Sequence, residues 1–175
     1  GYTPGKFPDF GIMELPYLAR SAEESSVAIW RLFKKRMLRG LGATKTIGFF
    51  STDPNVVHTR KPLKSLADLK GMKIRSAGPV YASTIKHFGG IPIGMPVTQL
   101  TESISRGVVD GALLGWGGAL VFRIHNVAAY HYTTPLGTTP AMVAMNKGKW
   151  NGLPAKAKAA INKFGGEYTA HLGGK

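Results

Sequence analysis

From Met72 to Leu114 the chain alternates short apolar runs with stretches of helical spacing, and that rhythm restricts the fold more than any other feature. The run Met72–Arg75 reads as a strand and stops at Ser76–Ala77–Gly78–Pro79. A helical pattern is expected from Val80 to Phe88, then Gly89–Gly90, then a strand over Ile91–Gly94. Pro96 precedes a helix expected over Thr98–Ser105, Gly107 ends it, and Val108–Leu114 forms the next apolar strand, interrupted at Asp110–Gly111. This βαβαβ order points to the α/β class and to a parallel, doubly wound sheet. Ligands of such sheets sit beyond the carboxyl ends of the strands. Arg75 and Trp116 both follow expected strands, so the two side chains can share one rim.

Arg75 is the first candidate site residue. A guanidinium at a strand end beside a helix N-terminus is well placed to receive a carboxylate. Its planar fork gives two parallel hydrogen bonds, and backbone N–H groups near Ser76 and Ala77 can add to them. The alternative is a surface arginine or a structural ion pair. Trp116 stands among Gly115, Gly117 and Gly118, an unfavourable setting for the interior of a helix or strand. Its ring can wall a ligand pocket, or it can be a core tryptophan that closes a turn. Phe49 and Phe50 end an expected strand and face opposite sides, so a pocket role falls to one of them at most.

Elsewhere the pattern is helical near the start and extended in the middle. Residues 1–20 are rich in proline and glycine. Ser21 and Glu24 fit a capping box for a helix over Ala22–Leu38. Thr44–Phe50 and Val56–Thr59 read as strands, Ser65–Leu69 as a helical turn, with Asp68 capping or preceding a helical turn, and Ala128–Thr133 and Ala141–Met145 as extended runs. The end of the chain reads as one helix beginning at Pro154 and weakened at Gly165–Gly166.

The chemistry is narrowed by what the 175 residues contain. Lys plus Arg number 23 against 9 Asp plus Glu, a net charge of +14, which favours an anionic partner. There is no cysteine, so disulfides, cysteine-based zinc sites and thiol catalysis are excluded. The histidines His58, His87, His125, His131 and His171 show no metal spacing and read as packed or surface residues. No paired carboxylates, nucleophile elbow or phosphate-cradling glycine motif occurs, which weighs against enzymatic chemistry. A basic nucleic-acid-binding domain remains an alternative on charge, carried by Arg31–Arg39, but no nucleic-acid fold motif accompanies it. No stretch reaches the length of a membrane-spanning helix.

Several segments, in order, resemble one family. They are GYTPGKFP, the Glu14–Leu18 run, KPLKSLADLKGMKIRSAG, GGIPIGMPVTQLTESISRGVVDGALLGW, and TTPAMVAMNKGKW with LPAKAKAAI after it. Together they resemble the DctP-like solute-binding proteins of tripartite ATP-independent periplasmic (TRAP) transporters. The resemblance implies a periplasmic-binding-protein-like fold, with a ligand held between two α/β lobes. One lobe would be essentially complete here, over 51–134; 1–50 would be part of the first lobe, and 135–175 a return strand and helix to it. It implies a non-enzymatic, periplasmic protein that needs no cofactor, binds a small organic acid and delivers it to membrane subunits, with no nucleic acid expected. The family's carboxylate-pairing arginine falls on Arg75, with Ser76, Phe50, Leu114 and Trp116 around the ligand. Where many relatives carry a Gln-Glu-Asn segment, this chain has Ala112–Leu113–Leu114, and Gly115–Trp116–Gly117 replaces a Pro-Trp-Glu run. The expected pocket wall is therefore less polar and suits an apolar or aromatic acid. The family's opening βαβ would precede Gly1 and more helix would follow Lys175, so the sequence reads as a piece of a longer chain.

Overall fold

A computed structural model describes residues 5–175; Gly1–Pro4, where the first family-like segment begins, lie outside the described residues. In chain order the main elements are α1 (Ala22–Lys34), β1 (Thr44–Ser51), β2 (Val56–Thr59), β3 (Lys73–Ser76), α2 (Pro79–His87), β4 (Ile91–Gly94), α3 (Leu100–Ser105) and β5 (Gly111–Leu114). They continue with α4 (Trp116–Val121), β6 (Tyr130–Tyr132), β7 (Pro140–Asn146), α5 (Lys147–Asn151), α6 (Ala155–Phe164) and α7 (Glu167–Gly173). Short 3-10 helices, including Pro8–Glu14 and Leu66–Leu69, lie before and between them.

The strands form two sheets. β1 and β7 pair antiparallel, and five strands form the other sheet in the order β4-β3-β5-β2-β6. β3 runs parallel to β4 and β5, as the βαβαβ rhythm requires. β2 runs antiparallel to both β5 and β6, so the sheet is mixed. The expectation of a wholly parallel, doubly wound sheet is corrected on that point. β2 enters from β1 of the other sheet and precedes the βαβαβ run, so no crossover helix ties its direction to that of β3, β4 and β5. The close approach of β2 and β5 depends on Gly111, where an added Cβ would lie 2.2 Å from the carbonyl oxygen of His58.

Helix α1 begins as the sequence suggests. Ser21 accepts from the N–H of Glu24 at 3.0 Å, and the Glu24 carboxylate reaches back to the N–H of Arg20 at 2.8 Å. It stops at Lys34 rather than at Leu38, because Arg36 turns left-handed (φ 57°) and the N–H of Met37 returns to the carbonyl of Leu32. Asp68 caps its turn by accepting from the N–H groups of Lys64 and Ser65, which hold its carboxyl below the usual range. The C-terminal segment is two helices, not one. Gly166 has φ 70°, its Cα lies against the ring of Trp30, and its N–H bonds Ile47 on β1 at 2.7 Å. That tertiary bond takes the backbone out of helical register and starts α7 at a new angle.

Three cores result. Phe10, Met13, Ile29, Leu41 and Phe49 pack between α1 and the two-stranded sheet. Ile74, Tyr81, Ile85, Val57 and Leu113 fill one face of the five-stranded sheet, and Leu100, Ile104, Ala112, Ala119 and Ile124 fill the other. Hydroxyls tie α1, β1 and the segment before β7 to one another. Thr138 donates to the carbonyl of Met13 at 3.1 Å and so accepts from Ser25 at 2.6 Å, which in turn accepts from Ser51 at 2.9 Å. Tyr81 of α2 donates to the carbonyl of Thr138 at 2.7 Å and accepts from the Asn55 amide at 2.7 Å.

Candidate functional site

One row of residues crosses the five-stranded sheet. Ile93 of β4 is opposite Arg75, Arg75 is opposite Ala112 of β5, Ala112 is opposite His58 of β2, and His58 is opposite His131 of β6. Directly opposed residues share a face of a sheet. The row therefore sets a guanidinium, a methyl group and two imidazoles side by side.

Arg75 is only 1% exposed, on β3 between β4 and β5. Its Nε–H donates to the carbonyl of Met95 at 3.1 Å, which fixes the stem of the fork. The charge reaches Tyr81, as does that of Glu14, itself 1% exposed. Burial dominates at the Tyr81 phenol and pushes its pKa well above the ordinary value. A cation removed from water in this way is costly unless anionic or polar groups surround it. Ser76, the next residue, is buried opposite Gly94.

Trp116 opens helix α4, so Gly117 and Gly118 are helical; the sequence had set this tryptophan outside regular structure. Asp53 stabilises that start by accepting from the N–H of Gly117 at 3.1 Å. The indole is 40% exposed and meets the rings of His58 and His131 edge-on, with centroids at 5.2 and 5.0 Å. His58 is fully buried. Its Nε2 bonds the carbonyl of Leu114 at 3.0 Å and its Nδ1 faces Nδ1 of His131 at 2.8 Å. A carbonyl only accepts, so His58 Nε2 carries the hydrogen and its bare Nδ1 accepts from His131. Burial lowers the His58 pKa from 6.5 to about 4, the bond to Leu114 opposes this, and the neighbouring His131 adds to it.

The five candidate residues thus divide. Arg75 and Ser76 sit in β3, and Leu114 and Trp116 lie at the carboxyl end of the neighbouring β5. Leu114 turns its side chain into the apolar cluster, against Gly118. Phe50 lies on the other sheet, opposite Ala141, with its Cβ beneath Gly173 of α7. Its neighbour Phe49 is fully buried among Phe10, Trp30 and Phe33. The His58–His131 pair escaped the sequence, which treated both as isolated histidines. The one available hint was His58 inside a short apolar strand run.

The surrounding fold has known counterparts. Residues 1–172 match the family of bacterial extracellular solute-binding proteins, family 7 (DctP). A TRAP solute-binding protein from a marine metagenome, specific for aromatic acid ligands and solved with 3-hydroxybenzoate, is 34% identical over 98% of this chain and 55% of its own, with a TM-score of 0.92. A TRAP solute-binding protein of Rhodoferax ferrireducens, solved with copurified benzoate, is 31% identical over 99% of this chain and 56% of its own, with a TM-score of 0.93. The C4-dicarboxylate-binding periplasmic protein DctP of Rhodobacter capsulatus is 24% identical over 99% of this chain and 53% of its own length. The chain spans about half the length of the curated relatives it matches. The α/β fold is that of periplasmic binding proteins, and the family's place is outside the cytoplasmic membrane. With the match running through both sheets and every element between them, the chain belongs to the bacterial extracellular solute-binding proteins of family 7.

Proposed function

We propose that this chain supplies the ligand-anchoring part of a TRAP-type periplasmic receptor for a small aromatic carboxylic acid, and that Arg75 grips the carboxylate. The lobe over 51–134 carries the anchor, and 1–50 with 135–175 belong to the facing lobe. The observation that supports the reading best is the burial of Arg75 at the end of β3, with its stem held by Met95. A guanidinium withdrawn from water gains more from a bidentate carboxylate than an exposed one does. Trp116 and Leu114 give an apolar setting for the rest of the acid, and the absence of the family's asparagine at 114 disfavours a heavily hydroxylated ligand. The aromatic acids bound by two structural relatives agree with that choice. Closure of the lobes would follow from contacts made better in the closed form. The loaded receptor would then dock on its membrane subunits, without catalysing a reaction.

Calorimetry with benzoate tests the anchor. Arg75→Ala should weaken binding at least a hundredfold. Arg75→Lys should recover only part of it, because an ammonium keeps the charge but lacks the fork. Equal affinity in wild type and Arg75→Ala, with both proteins folded by circular dichroism, would remove Arg75 from the role.

A further inference from the structure

A cleft of about 560 Å³ opens beside the first residues of β1, at the opposite end of that strand from Ser51. Four cations line it: Lys34, Arg36, Lys45 and Lys147. No carboxylate is among its lining residues, and among the described residues none of the four makes an ion pair. The contrast with nearby arginines is direct. Arg31 pairs with Glu167 at 2.6 Å, and Arg39 pairs with Asp9 at 2.6 Å. Two acids thus sit against arginines outside the cleft, and the lining itself carries four cations and no carboxylate.

The walls are flat and apolar. Trp30 and Phe33 stack obliquely with centroids at 5.2 Å, and Trp150 closes the other side with the Lys45 ammonium 4.5 Å from its ring centroid. Two further details belong to the same lining. The Thr44 hydroxyl, in the same lining, is buried and has no hydrogen-bond partner among the described residues. Arg36, also in the lining, holds a left-handed conformation (φ 57°).

We propose that this cleft is a second binding site, for an organic anion with a flat aromatic body. The rings would sandwich the body, and the four cations would take its charge, as electrostatic complementarity requires. The site is separate from Arg75. β1 has eight residues, so its two ends lie roughly 25 Å apart at ~3.3 Å per residue. The inference therefore stands whether or not Arg75 binds a carboxylate.

Two dyes with the same rings separate charge from greasiness. 8-Anilino-1-naphthalenesulfonate carries a sulfonate, and N-phenyl-1-naphthylamine does not. Fluorescence titrations would use the 175-residue chain, in excess benzoate to occupy the Arg75 site. The sulfonate dye should bind the wild type and lose at least tenfold in affinity in both Lys45→Glu and Trp150→Ala. Phe164→Ser, in the separate apolar groove lined by Ile47, Ile161 and Phe164, should leave it unchanged. The neutral dye should not respond to Lys45→Glu. Sulfonate-dye affinity within twofold of wild type in Lys45→Glu, an equal loss for both dyes in that variant, or loss only in Phe164→Ser would overturn the proposal. Lys45 is a partly exposed surface lysine, so Lys45→Glu keeps the test valid even if Trp150→Ala fails to fold.

Discussion

His58 and His131 meet Nδ1 to Nδ1 at 2.8 Å, across neighbouring strands and 73 positions apart in the chain. The pair can hold one proton between those nitrogens but not two. His58 supplies its lone pair only while neutral, because its other nitrogen is committed to Leu114.

The first prediction follows from that restriction. Folding lowers the His58 pKa from 6.5 to about 4, so the unfolded chain binds more protons between those values. The His58 contribution to stability must therefore fall as the pH drops from about 6.5 towards 4, and level off below. The expected loss is roughly 3 kcal/mol, at ~1.4 kcal/mol per pKa unit. The depressed carboxyls of Asp9, Glu23 and Asp68 act only further down, as the pH falls through the carboxylate range. Urea denaturation between pH 7 and 5 checks this; the slope should flatten in His58→Phe, and an unchanged slope would refute the assignment.

Gly111 predicts a larger effect. A methyl group there would press on the His58 carbonyl and on the Thr59 side chain, at 2.2 and 2.7 Å. Gly111→Ala should force β2 from β5 and cost about 3 kcal/mol or more. The melting temperature would show it, and a wild-type value would mean that the strands separate without cost.

Tyr81→Phe removes the hydroxyl that joins α2 to Asn55 and Thr138. Its partners stay buried, so about 1–3 kcal/mol should be lost. Native-state hydrogen exchange should show the loss at Leu136 and Asn55, whose N–H groups bond within that junction. Exchange rates unchanged there would show that the hydroxyl contributes little.

Arg36→Gly should act in the opposite direction. Glycine adopts φ 57° without strain, and the change relieves the end of α1. A gain of about 0.5–1 kcal/mol is expected in chemical denaturation. A loss would mean that the arginine side chain contributes more to the fold than its backbone strain removes.

The elements between Met72 and Leu114 were legible because their signals are local. Strand β4 spans Ile91–Gly94 as the spacing indicates, and the Ser21–Glu24 and Ser65–Asp68 caps lie where turn chemistry sets them. Arg75 at a strand end was legible for the same reason. The right ends of α1 and the C-terminal helix were not, because Arg36 turns where the sequence offers no glycine and Gly166 answers to Ile47 on a distant strand. Hydrophobic period and capping act over a few residues, and so the sequence alone determined most of the helical and extended segments and the place of Arg75 at a strand end. Tertiary structure alone decided that β2 enters antiparallel and that His58, His131 and Trp116 converge. Strand order and direction depend on pairing between residues far apart in the chain, and no local pattern encodes which distant strand will be met.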